Sequence, residues 1–379
     1  MRIIVTGTVG LDKQRYLQAA LAYAQDAGHS AHLCHVGALM YAEAPDVAPG
    51  RILDLPLSRL HGLRRSVMKD ILALAPDETN LIVNTHATFR WRHGLFPAFD
   101  FDQLARFQAD LYVCLLDTVE TVHARLIAEH DINHSLKDLL VWREEEILAT
   151  ELMMLGASGT RQTIGAAVPS RADAPRFYIM AVGRNHQTAE MFYRLLFEPW
   201  RPKAYISFPM THVANETDIR RKIDNFRREI ARYFTVFDPA DMEEFDLYTA
   251  AAEASRQGLK VLEVDVLHAP VRFEVAEILQ VAGDIHAQIY ARDFMLIDQS
   301  DMIISYIPEM PSGKPGLSSG VERELQHAHE ATREVYVIWK PKVKPSPFIT
   351  ETATRVFPNL DEAADFFKTR ARKATPKPR

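Results

Sequence analysis

The stretch MRIIVTGTVGLDKQRYLQAALAYAQDAG (residues 1–28) sets the architecture of the first half of the chain. RIIVTG is a short apolar run rich in β-branched residues, and a glycine turn follows it. DKQRYLQAALAYAQDAG then carries apolar residues at helical spacing until Gly28 stops it. The same alternation continues outward. HSAHLCHVG, NLIVNTH, DLYVCLLD and RFYIMAV read as strands, while DLLVWREEEILATELMMLGA and HQTAEMFYRLLFE read as helices. Strands that alternate with helices predict a parallel sheet covered on its faces.

At EPWRPK (198–203) two prolines break the pattern, and a domain boundary is expected there. A second series then begins with the strand KAYISFP. Next comes a charged amphipathic helix, NETDIRRKIDNFRREIARYF, with Asn215 or Thr217 as its N-cap. TVFDP, KVLEVDV, DMIISYI and EVYVIWK read as further strands of this second unit. The expected fold is α/β, two doubly wound parallel-sheet domains over residues 1–200 and 203–379. Two domains also suit the length, since single cores stop growing beyond roughly 250–300 residues.

Composition narrows the function classes. Hydrophobic residues make up 47% and charged residues 25%, the balance of an ordinary soluble protein. A formal net charge of -6 argues against general nucleic-acid affinity, which depends on concentrated positive charge. The basic tail KTRARKATPKPR (368–379) reads as a frayed, solvated terminus. Cys34 and Cys114 lie in separate apolar runs and are expected to be buried free thiols, which fits a reducing cytoplasm. No leader or membrane span is evident, so a cytoplasmic location without membrane contact is expected. His86, His212 and His327 are scattered, and no spacing suggests a metal site.

The turn GTVGLDKQ stands where a phosphate-cradling P-loop would stand. That motif needs Gly, four residues, then Gly-Lys-Ser/Thr, so that backbone N–H groups and the Lys hold phosphates and the hydroxyl holds Mg²⁺. Gly7 and Lys13 are in register and Gly10 lies between them, but Asp12 replaces the second Gly and Gln14 the hydroxyl residue. VTGTVG, HVGALMYAEA, NTHATFRWRHGLFPAF and VCLLDTVETVHARL together resemble the archaeal-type adenylate kinases over the first 200 residues. The resemblance implies a nucleotide site at Gly7, Gly10 and Lys13, with Arg90 at the monophosphate. Asn84 stands where that family has an Asp, and the lid segment AEHDINHSLKD has no Arg. A degenerate domain is therefore expected, able at most to hold ATP or another nucleotide as a regulator.

The other motif is SGKPGLSSGVERELQHA (312–328), a Gly- and Ser-rich segment that reads as a flexible loop opening a helix with Glu322 and Glu324. KAYISFP, VFDP, QIYARDFMLIDQSDMIISYI and GVERELQHA, in that order, resemble the nucleoside 2-deoxyribosyltransferase family and its 2′-deoxynucleoside 5′-monophosphate N-glycosidases. The resemblance covers about residues 203–345. It implies Glu324 as nucleophile, Asp293 as the acid at the leaving base, and Tyr205 beside the nucleophile. It also implies phosphate binding at Ser318, with Ser319 and Gly320 adjoining, where enzymes acting on free nucleosides tend to place an Asp. Glu322 falls on a variable position. No cofactor is required, and a homo-oligomer is implied. KVLEVDVLHAPVRFEVAEILQVAGD (260–284) is longer than the family usually has and is expected to cover the pocket, mediate an oligomer contact or alter base choice.

The chemistry accounts for these residue types. Breaking an N-glycosidic bond leaves a cationic sugar, which a carboxylate stabilises and then captures as a glycosyl ester. The departing base takes a proton from a second carboxyl group whose pKa is raised. The alternatives are a nucleotide sensor, an NAD-type glycohydrolase using the same carboxylates, and an active nucleoside-monophosphate kinase.

Overall fold

The computed structural model describes residues 1–91, 94–130, 132–163, 174–210, 213, 216–242 and 244–374. β1 (Arg2–Thr6) leads through the glycine turn to α1 (Lys13–Asp26), β2 (His32–His35), α2 (Val36–Glu43) and α3 (Leu57–Leu74), and β3 (Leu81–Asn84) returns beside β1. The antiparallel pair β4 (Thr88–Trp91) and β5 (Gly94–Pro97) precedes α4 (Phe101–Phe107) and β6 (Leu111–Leu116). Then come α5 (Val119–His130), α6 (Leu136–Thr163) and β7 (Arg176–Ala181). The five sheet strands run parallel in the order β2-β3-β1-β6-β7. All six residues of β6 are buried, as a strand with both faces covered requires. Cys34 and Cys114 are buried free thiols, as expected.

α7 (Ala189–Phe197), β8 (Lys203–Ser207), α8 (Thr217–Ala231) and β9 (Thr235–Phe237) open the second series. α8 buries Ile219, Ile223, Phe226 and Ile230 as one stripe. Thr217 is its first residue and Glu216 stands at the cap without a side-chain bond, so Thr217 is not the cap, and Asn215 lies outside the described residues, as does His212. α9 (Phe245–Arg256), β10 (Val261–Val266), β11 (Ala269–Glu274) and α10 (Val275–Gln280) follow, then α11 (Ala282–Asp298) and β12 (Met302–Ile307). The chain ends with α12 (Ser319–Glu330), β13 (Glu334–Trp339), α13 (Pro347–Thr350), β14 (Arg355–Phe357) and α14 (Leu360–Ala374). The second sheet is again parallel, in the order β14-β13-β12-β8-β9. The start of the basic tail is helical rather than frayed. Arg370 on α14 bonds Glu334 and the Tyr336 hydroxyl, while residues 375–379 lie outside the described residues.

Packing divides the chain into two units, Met1–Ala189 with Met242–His286, and Glu190–Asp241 with Ala287–Arg379. The division thus differs from the single break expected at 198–203, and the segment assigned by sequence to the second domain groups with the first. Its acids explain why. Glu244 is fully buried and accepts from Val119 N–H (2.8 Å) and Arg143 (2.5 and 3.1 Å), and Glu277 accepts from Leu136 N–H at the start of α6 (2.8 Å). β10, read as a strand of the second sheet, instead pairs antiparallel with β11 and, among the described residues, with no other strand. Leu267 and His268 make the two-residue turn with φ of 54° and 65°, a conformation that usually selects Asn-Gly or Asp-Gly.

Candidate active site

In the second sheet the chain leaves β8 for β9 on one side and returns to β12 on the other. The strand order reverses between the paired strands β8 and β12, the point where a doubly wound sheet leaves a crevice outside its carboxyl edge. β8 ends there with Tyr205 and Ser207, two residues apart and so on one face. α12 brings Glu324 to them. Its carboxylate accepts from the Tyr205 hydroxyl (3.1 Å) and the Ser207 hydroxyl (2.5 Å), and Ser305 on β12 donates to Ser207 (3.5 Å). Val321, Leu325 and Ala328 are the buried stripe of α12, which fixes Glu324 at the margin of that stripe, half-buried. Glu322, which falls on a variable position of the motif, is exposed.

α11 supplies Asp293, which is buried. Its Oδ1 has no hydrogen-bond partner among the described residues and lies 3.7 Å from Nε of Arg292. Burial raises Asp293 to about 6, against the pull of Arg292. Burial and the charge of Asp293 push Glu324 up to about 8, against the hydrogen bonds from Ser207 and Tyr205. Burial, with both acids nearby, holds the Tyr205 phenol well above its ordinary value, so it remains a donor.

Ser318 is the N-cap of α12. Its Oγ accepts from Val321 N–H (3.3 Å), which leaves its own O–H proton to donate. Ser319 and Gly320 are exposed in the first turn. The preceding loop, read as flexible, is pinned. Met310 N–H donates to Lys314 O (2.9 Å), Gly316 N–H donates to Pro308 O (2.8 Å), and Glu309 bridges Pro315. Gly316 has no room for a side chain, because a Cβ would lie 2.8 Å from Pro308 Cγ and 2.9 Å from Met310 Sδ. Thus Glu324, Asp293 and Tyr205 form one electrostatic cluster, and Ser318 to Gly320 begin the helix that carries the nucleophile candidate. Ser207 was not singled out in the sequence. The available signal was the two-residue period of β8, which puts it on the face of Tyr205.

The first unit treats its glycine turn differently. Gly7 (φ 140°) passes so close to β6 that a Cβ would lie 2.8 Å from Leu115 O, and Gly10 has φ 86°. Asp12 sits in the left-handed region (φ 52°) at the position the motif gives to Gly. Lys13 is buried and turns inward, donating to Gly7 O and lying 3.0 Å from Nδ1 of His86; burial lowers it to about 8. Glu146, from α6, accepts from Gly7 N–H (3.1 Å), Ala87 N–H (2.7 Å), Thr88 N–H (3.0 Å) and the Thr88 hydroxyl (2.6 Å). Arg90 pairs with Glu145 (2.6 Å) and lies 5.7 Å from the centre of the Trp142 ring, so it is engaged locally rather than with the loop.

The cavity behind this loop, lined by Thr8, Asp117, Arg143 and Glu146 among others, holds only about 10 Å³. Asp117 pairs with Arg125 (2.9 Å), which also donates to Gly10 O (3.2 Å). Burial raises Asp117 to about 6, and burial with the charge of Glu244 raises Glu120 to about 8. Asp131, in the lid-like segment, lies outside the described residues. No described helix is long and apolar enough to cross a membrane.

No protein-family model matches the chain, and no curated protein does. Among solved structures, the shikimate kinase from Bacteroides thetaiotaomicron is similar over 52% of this chain and 98% of its own, at 14% identity and a TM-score of 0.30. A likeness that low carries no argument about either unit, and the α/β architecture rests on the two parallel sheets themselves.

Proposed function

We propose that the second unit cleaves or exchanges the N-glycosidic bond of a nucleotide, with a 2′-deoxynucleoside 5′-monophosphate as substrate and Glu324 as nucleophile. One observation carries the reading. A carboxylate at the carboxyl edge of the sheet is oriented by two neutral hydroxyls, Tyr205 and Ser207, and faces a second buried acid rather than a base. A structural carboxylate is normally matched to a cation, whereas two acids held together with raised pKa values suit a glycosyl transfer.

In the first step Glu324 Oε bonds to the anomeric carbon, the C–N bond breaks, and the base takes its proton from Asp293. Water, or a second base, then attacks the anomeric carbon and gives its proton to Asp293, and the bond from that carbon to Glu324 Oε breaks to free the carboxylate. Between about pH 6 and 8 the pair shares one proton. Attack needs that proton on Asp293. The positive charge growing on the sugar stabilises ionised Glu324, and the accumulating charge on the base draws the proton to Asp293. The O–H of Ser318 and the N–H groups of the first turn of α12 are the donors offered to a 5′-phosphate.

The test is chromatography of the purified protein with the four deoxynucleoside monophosphates, their ribonucleotide counterparts and NAD, each with and without ATP. Free base is expected from a deoxynucleoside monophosphate, none with Glu324→Ala, and wild-type release with Glu322→Ala. Full activity in Glu324→Ala would sink the assignment, and release of nicotinamide alone would move the substrate to NAD. A nucleotide regulator at the N-terminal loop belongs to the same proposal, and it requires Lys13 to leave Gly7 O and His86. Stimulation by ATP, lost in Lys13→Ala, is its signature. The oligomer implied by the family is read from the mass of the same sample in solution.

A further inference from the structure

The second unit also carries an open cavity of about 500 Å³ on the other face of its sheet. Successive residues of β12 point to opposite faces. Ser305 bonds Ser207 on the Glu324 side, whereas Tyr306 packs with Phe226 and the core beneath α8 and α14 and forms the floor of this cavity. Four cations line it, Arg221, Lys222 and Arg228 from α8 and Lys340 just after β13, against the single acid Asp361.

These charges are poorly matched by the protein. Lys222 and Arg228 make no ion pair or hydrogen bond with a described residue. Arg221 meets only Asp218, one turn earlier and exposed (3.1 Å), and Lys340 reaches only the carbonyl of Pro358 (3.4 Å). Tyr306 is 4% exposed, and its hydroxyl has no hydrogen-bond partner among the described residues. Gathering four like charges in one concavity costs a fold repulsion and returns nothing until an anion enters. In a chain of net charge -6 the cluster is local rather than general. Its volume is within the roughly 300–1,000 Å³ of small-ligand sites, and a nucleic acid would need a basic stripe running beyond it.

We propose that this cavity binds a small molecule bearing a di- or triphosphate group, at a site separate from Glu324. The inference stands on the cavity and its charges and does not depend on the glycosidase reading. Calorimetric titration of the full chain with pyrophosphate, with ATP and with a single-stranded oligonucleotide, at low and moderate salt, tests it. Lys222 and Arg228 are exposed and unpartnered, so Lys222→Glu with Arg228→Glu leaves the fold intact. Saturable pyrophosphate or ATP binding is expected, at least about tenfold weaker in that double variant and unchanged in Glu324→Gln. Equal binding in the double variant, loss of binding in Glu324→Gln, tighter binding of the oligonucleotide than of either phosphate, or no saturable binding at either salt would each overturn it.

Discussion

Each unit buries carboxylates near the carboxyl edge of its parallel sheet, and the two units differ in how most of them are matched. In the first, Glu244 is matched to Arg143 and Asp117 to Arg125, Glu146 is matched to backbone and hydroxyl donors, and about 10 Å³ is left over; Glu120, raised by burial and by the charge of Glu244, is the exception. In the second, Glu324 has only neutral donors and faces Asp293. The difference separates acids that hold a fold together from acids held at the fold's expense. A buried ion pair, once formed, is costly to break, and an acid opposed to an acid stays ready to change its charge.

Substitution sharpens this contrast, and the largest effect is expected at Glu324. Glu324→Gln should lower glycosidase turnover by about three orders of magnitude or more. It should leave stability unchanged or raised, as judged from turnover and a urea melt on one sample. Glu244→Gln should do the reverse. It leaves Arg143 buried without its charge partner, so the first unit should lose about 3 kcal/mol in the same melt. Equal destabilisation by the two substitutions would break the comparison.

The pH dependence comes next in size. Turnover should fall below about pH 6, where both acids hold protons, and above about pH 8, where neither does. Stability follows from the sign of the shift. The Glu324 pKa is raised on folding, so its contribution is fully present below the unfolded value near 4.5 and is lost as pH rises through about 8. Wild type should therefore weaken relative to Glu324→Gln between those limits, and a constant difference in melting temperature across that window would contradict the assignment. The smallest effect is expected at Tyr205→Phe. It removes one of two donors to Glu324, and a roughly tenfold loss in kcat with KM held is the outcome that a purely packing role would not produce.

The sequence made most of the sheet strands and the placement of Glu324 beside Tyr205 legible, because both depend on short-range pattern, whereas β4, β5 and the edge strand β14 were not read. KAYISFP is a buried run with Tyr205 and Ser207 in phase, and GVERELQHA places Glu324 beside the buried stripe of its helix. What stayed hidden depends on partners far along the chain. Glu146 lies 139 residues from Gly7, and Glu244 lies 101 from Arg143; neither has a local pattern that marks it. The hairpin of β10 and β11 was hidden for a different reason. Its turn is Leu267–His268, which lacks the glycine that would announce it. Arg90, placed by sequence at the monophosphate, pairs with Glu145 on the adjacent helix, a partner 55 residues away that no local pattern marks.

The segment Met242–His286 has a consequence for how the protein is made. It belongs to the first unit but is synthesised after the second has begun, so the ribosome delivers one unit inside an interruption of the other. A nascent chain stopped near residue 200 lacks Glu244 and leaves Arg143 without its counter-ion, and a chain beginning at residue 203 carries those acids with nothing to receive them. The first unit therefore draws on residues made after the second has begun, unlike the usual domain-by-domain order of a two-domain chain. The five strands of its sheet emerge first, and the carboxylate that pairs with Arg143 follows only after the second unit has begun.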